Sequence, residues 1–416
     1  MPDTKLGSQP LDLTFHPHED VVFTALLNGE IRCYSYDEEG KISIKWKLRP
    51  SKKSCRALAI TPDGEKLWCG YKSGTIVIVN TSDGELVSEL QKAHSAPLSR
   101  MTMLGDSLNM AASGDDDGVI KVWDTRPLLN AASPIRTYTH HSDYISGFVW
   151  LNDKKHLVAT SGDGTLSVMD VRSSKSQPLA QSEDQEDEIL SVIAIKGEKK
   201  LAIGTQLGPI AIFDRSKGYA DCVDRFIGHP QSVDAMVALS SSRLTFDIVA
   251  TGSSDGLIRV VQIHPSKFLG VIASHGIVEE SDAEESKPSE GFPVERMQLN
   301  RNGKWLASIS HDEVLKLTNV EDVLEDDGDG QDTEEDSEED ESGVQQTATS
   351  NEEEENANET GSQGVSNQDI PDSDKDSDAP TPTDKKRRKK QRKREEAKRR
   401  KIARDGGASN TFFNEL

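Results

Sequence analysis

Apolar and polar positions alternate in short runs along most of this chain, and the runs recur. One pattern occurs seven times: a tight turn, six times with glycine, then an apolar strand ending in a polar residue. Its copies read NGEIRCYSYD, KSGTIVIVN, DDGVIKVWD, GDGTLSVMD, QLGPIAIFD, SDGLIRVVQ and HDEVLKLTN. A period of two is typical of strands, because successive side chains point to opposite faces. The pattern predicts an all-β fold.

The turns define the length of the repeat. Six of them carry Gly29, Gly74, Gly118, Gly164, Gly208 and Gly256, which are 44 to 48 residues apart, and the seventh has Glu313, 57 residues further on. Each repeat has room for four short strands, which form one blade of a β-propeller. We therefore predict a seven-bladed propeller over residues 1–320. The repeats are predicted at 11–46, 55–90, 98–138, 145–181, 189–226, 233–273 and 294–319.

The seventh repeat lacks a fourth strand of its own. Residues near Thr4 to Gly7 are predicted to supply it and so to close the ring, which removes the open sheet edges. An acidic insertion at 276–292 accounts for the longer last interval.

The third repeat resembles a WD repeat. The residues that carry the resemblance are His94, Ser113, Asp117 and Trp123, with Asp124 after the Trp. In WD repeats these side chains form a structural tetrad, in which the turn Asp accepts a hydrogen bond from the His and Ser links the His to the indole. The sixth repeat keeps His229, Thr251 and Asp255, and the fourth keeps His141 and Asp163, whereas the other repeats are degenerate. The resemblance implies a structural role for these residues.

Candidate chemistry is sparse. We find no nucleophile, phosphate-loop, dinucleotide or zinc-protease motif, and predict no catalytic residue, cofactor or metal site. The acidic run Gly114–Gly118 lacks the spaced oxygen ligands of a Ca²⁺ loop. The four cysteines are scattered, so neither a disulfide framework nor a zinc site is expected. Neither a signal peptide nor an 18-residue apolar run is found, and we expect a soluble intracellular protein.

The last hundred residues carry the extremes of charge. Residues 321–380 hold 24 acidic residues and one lysine, and the acidic segment 321–383 is expected to be disordered. The segment 384–404 holds 14 basic residues and precedes a tail at 405–416. Such a basic run predicts nuclear localisation, and it leaves non-specific RNA contact open. The residues proposed for localisation are Lys385, Lys386, Arg387, Arg388, Lys389, Lys390, Arg392, Lys393 and Arg394.

Degenerate blades followed by an acidic segment, a basic segment and a Phe-Phe ending resemble the WD repeat-containing protein 55 family. The resemblance implies a nucleolar protein that acts in ribosomal RNA production and large-subunit assembly. The function expected is a non-enzymatic scaffold, with a monomeric propeller whose partners are pre-ribosomal or chromatin proteins.

Two alternatives remain. Trp123 to Arg126 and Met169 to Arg172 resemble the paired boxes by which propeller receptors dock on the adaptor of cullin-4 ubiquitin ligases. In that interpretation Arg126 and Arg172 bind the adaptor; otherwise they are surface residues that pair with nearby carboxylates. The acidic insertion would instead suit a histone-binding propeller.

Overall fold

A computed structural model describes residues 3–105, 109–126, 133–239, 247–276 and 291–321. The chain divides into two units, Met1–Gly330 and Gln331–Leu416. The predicted acidic and basic segments lie outside the described residues, except for Glu321, and so do residues 277–290 of the predicted insertion.

The described residues form short strands joined by turns and one 3₁₀ turn at Arg215–Lys217. The strands are β1 Thr4–Lys5, β2 Pro10–Phe15, β3 Val21–Leu26, β4 Ile31–Tyr36, β5 Ile42–Leu48, β6 Cys55–Ile60, β7 Lys66–Tyr71, β8 Ile76–Asn80, β9 Leu86–Leu90, β10 Leu98–Met103, β11 Met110–Asp115, β12 Ile120–Asp124, β13 Arg136–Tyr138, β14 Ile145–Leu151, β15 His156–Ser161, β16 Leu166–Asp170, β17 Ala180–Gln181, β18 Ile189–Ile195, β19 Lys200–Thr205, β20 Ile210–Asp214, β21 Asp224–Phe226, β22 Val233–Ala238, β23 Ile248–Ser253, β24 Leu257–Gln262, β25 Lys267–Ser274, β26 Val294–Leu299, β27 Trp305–Ser310 and β28 Val314–Asn319. No helix in the described ranges is long and apolar enough to cross a bilayer.

These strands make seven antiparallel sheets of four strands, and each sheet is one blade. Blades 1 to 6 begin at β2, β6, β10, β14, β18 and β22, and blade 7 contains β26, β27, β28 and β1. The first strand of each blade contacts the first strands of both neighbours, and β26 contacts β2, so the ring is closed. The predicted seven-bladed propeller is confirmed.

The N-terminus closes the ring, as the sequence predicts. In the antiparallel pair of β1 and β28, Thr4 lies opposite Leu315 and Lys5 opposite Val314. The backbone N–H of Leu6 then donates to the carbonyl of Glu313 at 2.8 Å, and the Leu6 side chain is buried. The first residues of the unit thereby cover the edge of its last strand.

The hydrophobic core consists of seven clusters, each formed by two adjacent blades. In β20 the alternation of side chains decides which neighbour each residue meets. Ile210 and Ile212 pack against Val249 of blade 6, whereas Phe213 packs against Val168 of blade 4. Because both faces of a blade are covered, the central strands are apolar on both sides.

Candidate functional site: buried networks, paired arginines and the central channel

Blade 3 contains a fully buried polar network. The indole Nε1–H of Trp123 donates to Ser113 Oγ at 2.8 Å, and Ser113 Oγ lies 2.7 Å from His94 Nε2. The other ring nitrogen, His94 Nδ1, lies 2.7 Å from Asp115 Oδ2. Burial lowers the pKa of His94, although Asp115 opposes the shift. With a neutral His94 ring that donates from Nδ1 and accepts at Nε2, every donor in this series of hydrogen bonds has an acceptor.

The acidic member of this tetrad is Asp115, so the prediction of Asp117 was wrong. Aligned by its turn glycine, Asp117 stands where the fourth and seventh repeats have their acidic residue, Asp163 and Asp312. In blade 3, Asp115 lies two residues earlier, at the buried end of β11, whereas Asp117 is exposed. Asp115 Oδ1 also accepts the backbone N–H of Asp117 at 3.1 Å, so the same carboxylate builds the turn and binds the histidine.

The other recognised repeats keep only parts of the network. In blade 4, His141 Nδ1 lies 3.0 Å from Asp163 and Nε2 lies 2.8 Å from Ser167 Oγ, a serine directly across from Ala159. Burial would raise the pKa of Asp163, but hydrogen bonds from His141 and Thr165 outweigh it and lower that pKa to about 2. The neighbouring strand thus supplies the hydroxyl that position 159 lacks.

Blade 6 differs in the partner of its aspartate. His229 Nε2 lies 2.8 Å from Thr251 Oγ1, but Asp255 forms a two-armed ion pair with Arg259, with N–O distances of 2.9 and 2.5 Å. His229 Nδ1 is buried without a hydrogen-bond partner in the described part of the chain. Burial, together with the nearby Arg259, lowers the pKa of His229 to about 4, so the ring is neutral.

Blade 7 has a network that sequence reasoning missed. His275 Nδ1 lies 2.7 Å from Asp312 Oδ2, and its Nε2 lies 2.9 Å from Ser308 Oγ. His275 precedes Asp312 by 37 residues, against 22 between His141 and Asp163, because the insertion comes between them. Ser308 and Asp312 stand at the repeat positions of Ser113 and Asp117, a signal that could have found them.

These networks join the loop that enters a blade to the turn between its second and third strands. Apart from His229 Nδ1, the polar atoms named above have hydrogen-bond partners inside the protein, as buried polar groups require. No group of three or more His, Cys, Asp or Glu within the described ranges is placed to hold a metal ion.

Arg126 and Arg172 occupy equivalent places on blades 3 and 4, two residues beyond Asp124 and Asp170 at the ends of β12 and β16. Arg126 donates from Nε and Nη2 to Asp124 at 2.9 and 2.5 Å, and Arg172 donates likewise to Asp170 at 2.9 and 2.8 Å. The arginine side chains are 71% and 61% exposed. Each hydrogen bond from the arginine lowers the pKa of the preceding aspartate. Two exposed, similarly held cations therefore mark this part of the surface.

The central channel is lined by the first strands of the seven blades, and each of these strands has a β-bulge. Every first strand shifts register after its first residue, at Pro10, Cys55, Leu98, Ile145, Ile189, Val233 and Val294. A bulge turns side chains away from the regular alternation. Three of the bulges are followed directly by Asp12, Arg100 and Arg296, which line a cavity of about 390 Å³.

The charges in this channel tie several blades together. Asp12 accepts the backbone N–H of Leu58 in blade 2 at 2.7 Å and lies 3.6 Å from Arg296 Nε in blade 7. Burial raises the pKa of Asp12 to about 6, and the nearby Arg100 opposes the shift. Arg100 itself donates to the carbonyl of Ser146 in blade 4 at 2.8 Å. The channel is therefore polar, and hydrogen bonds and an ion pair connect the blades around it.

A second cavity, which shares Arg100 with the first, is lined by Asp234 and Glu295. His311 is hydrogen-bonded to Glu295, which raises the pKa of His311. Arg56 pairs with Asp116 at 2.6 Å. Burial raises the pKa of Asp234 to about 6, and Glu295 adds to the shift. These residues were not predicted from the sequence, because the sequence of a single strand does not show where its pairing with the next strand will shift to form a bulge.

A closed ring of seven four-stranded blades, with His–Ser–Asp networks at the blade turns, defines a WD-repeat β-propeller, a class of proteins able to present surfaces to other proteins. The profile of the WDR55 family matches residues 1–323, and the chain belongs to that family.

Named relatives agree with this assignment. WD repeat-containing protein JIP5 of Cryptococcus neoformans var. neoformans serotype D is 48% identical over 353 residues, covering 78% of this chain and 88% of the relative. WD repeat-containing protein 55 of Arabidopsis thaliana is 36% identical, covering 77% of this chain and 83% of the relative. The rat protein of that name is 32% identical, covering 78% of each chain.

Proposed function

We propose that this protein is a non-enzymatic scaffold of the nucleus and nucleolus, acting in ribosomal RNA processing and assembly of the large ribosomal subunit. The observation that carries the proposal is membership of the WDR55 family over residues 1–323. The family resemblance implies the ribosomal role. The basic segment 384–404, whose nine residues proposed for localisation lie outside the described residues, supports the nuclear location.

The test uses the tagged full-length protein and a variant that lacks residues 384–404. The intact protein should concentrate in the nucleolus and co-purify with large-subunit precursors, and its depletion should cause precursor ribosomal RNA to accumulate. The deletion should leave the protein in the cytoplasm, whereas a control deletion of residues 405–416 should not. Nucleolar enrichment without the basic segment would contradict the localisation, and normal RNA processing after depletion would contradict the function.

A second candidate function is that of a substrate receptor for a cullin-4 type ubiquitin ligase. What favours it is the matched geometry of Arg126 and Arg172, exposed at the same place on adjacent blades. A double charge reversal, Arg126→Glu with Arg172→Glu, should abolish co-purification of the ligase adaptor and leave pre-ribosomal association intact. The control is the reversal of exposed Arg49 and Lys175 to Glu. Equal adaptor recovery from both variants would remove this candidate.

A chromatin-binding role would rest on the acidic insertion at 276–292. Its charged residues lie within 277–290, outside the described residues, so this alternative stays a prediction from sequence.

A further inference from the structure

A cleft of about 420 Å³ opens between blade 5 and the segment that leads into it from blade 4. The fourth strand of blade 4, β17, has only two residues, and that of blade 5, β21, has three. An irregular segment at 182–188 forms part of the cleft wall, and the backbone N–H of Glu183 holds it by donating to the carbonyl of Ala220 at 2.7 Å.

The charged groups in the wall of the cleft are mainly acidic. It has five carboxylates against one guanidinium, that of Arg225. The five are Glu183, Asp184, Glu186, Asp187 and Asp221. Carboxylates accept hydrogen bonds and attract cations, so the cleft favours a ligand with several donors and positive charge.

Gln185 points to the same kind of ligand independently of the charges. The residue is only 6% exposed and forms part of the wall. Its Nε2 donates to the carbonyl of Glu183 and to Asp221 Oδ1, both at 3.2 Å, but its Oε1 is buried without a donor in the described residues. A buried acceptor without a donor is costly. An N–H group of a ligand in the cleft would supply that donor.

An apolar surface adjoins the acidic wall. Leu207, in the turn between the second and third strands of blade 5, is 72% exposed and lines the cleft. Its backbone N–H donates to Asp187 Oδ2 at 3.0 Å, which places the leucine beside the carboxylates. Pro209 and Ala211 also line the cleft. An exposed aliphatic side chain beside carboxylates suits a segment that is both basic and apolar.

We propose that this cleft binds a linear basic segment of a partner protein. A Lys or Arg side chain lies among the carboxylates and donates toward Gln185, and an adjacent aliphatic side chain packs on Leu207. The inference stands on the cleft alone and does not depend on the nuclear role.

The test is hydrogen–deuterium exchange of the full chain with a synthetic peptide, GRKLRKG, as probe. The peptide should slow exchange at least threefold in residues 182–188 and 219–227. The triple variant Glu183→Gln, Glu186→Gln, Leu207→Ser should lose this protection, since it removes two charges and the apolar contact from exposed positions. The control Glu38→Gln, Glu39→Gln makes the same change of charge on an exposed turn of blade 1 and should keep the protection.

Three outcomes would overturn the proposal. Protection confined to residues 321–380 would place the peptide on the acidic tail. Equal loss in the control and the triple variant would show that overall charge, and not the cleft, binds the probe. Faster exchange at 182–188 when residues 384–404 are deleted, with no peptide added, would identify this chain's own basic segment as the occupant.

Discussion

The histidines of the four buried networks occupy equivalent places in the fold, but two of them depart from the arrangement that the other two share. His94 and His275 have an acceptor at Nδ1 and a serine hydroxyl at Nε2. The serine that contacts His141 lies in the third strand of its blade, β16, and not in the second, and His229 has no partner at Nδ1 among the described residues. The repeat therefore conserves the place of the imidazole more strictly than its hydrogen bonds.

The assignment of Asp115 to the tetrad of blade 3 can be tested directly. Asp115→Asn should lower the free energy of unfolding by about 2–3 kcal/mol, because a buried charged acceptor of several hydrogen bonds is lost. Asp117→Asn, a change of the same kind at an exposed position, should stay within about 0.5 kcal/mol of the parent protein. Urea denaturation at neutral pH measures both. A larger effect at Asp117 would restore the sequence-based assignment.

His229 should make the propeller sensitive to acid. Its folded pKa is about 4, below the ordinary value of 6.5, so the unfolded chain binds a proton that the folded chain does not. Stability is then full above pH 6.5 and is lost as the pH falls toward 4, by up to about 3 kcal/mol. His140, whose pKa burial also lowers to about 4, acts in the same direction.

His229→Gln should therefore flatten the dependence of the urea midpoint on pH between 6.5 and 4. The substitution removes the group that takes up the proton on unfolding. An unchanged slope in the variant would mean that other groups cause the acid sensitivity.

Among the structural elements, the first strand of each blade and the closing strand β1 have the most specific roles. The bulges of β2, β10 and β26 directly precede Asp12, Arg100 and Arg296, which line the channel. Strand β1 contributes only two residues to the ladder but continues into Leu6, which packs against the cluster shared by blades 7 and 1. The ring is therefore closed by side-chain burial as much as by strand pairing.

Closure through Leu6 predicts a large effect from a small truncation. Leu6→Ala should destabilise the protein by about 2–4 kcal/mol, because it leaves a cavity in a buried cluster. Lys5→Ala, on an exposed side chain of the same strand, is the control and should change little. Thermal unfolding followed by circular dichroism measures both. Equal melting temperatures for Leu6→Ala and the parent would show that burial of Leu6 does not stabilise the closure of the ring.

At the scale of the whole molecule, charge is divided unevenly along the chain. The formal net charge is -23, yet the segment 384–404 alone holds 14 basic residues. Binding of RNA by such a segment releases counterions and weakens as salt rises. The overall charge would predict repulsion of RNA, so we expect such contact to come from a local basic segment, for which 384–404 is the candidate.

Full-length protein should bind a structureless RNA at least about tenfold more tightly at 0.1 M salt than a variant without residues 384–404, with a steeper decrease as salt increases. Fluorescence anisotropy over a range of salt concentrations measures the affinity and its slope. The deletion of residues 405–416 is the control. Identical slopes for the full chain and the variant without residues 384–404 would exclude RNA contact through the basic segment.

Local sequence was enough to predict the all-β class, the seven blades and the closing strand. Alternation and turn residues act over a few positions, and the repeat shows them seven times. Tertiary structure alone decided which aspartate binds His94, that His275 has partners across an insertion, and that the segment 182–188 and blade 5 enclose a cleft. Hydrogen-bond partners are chosen by distance and burial, and residues far apart in the chain meet only when the ring closes.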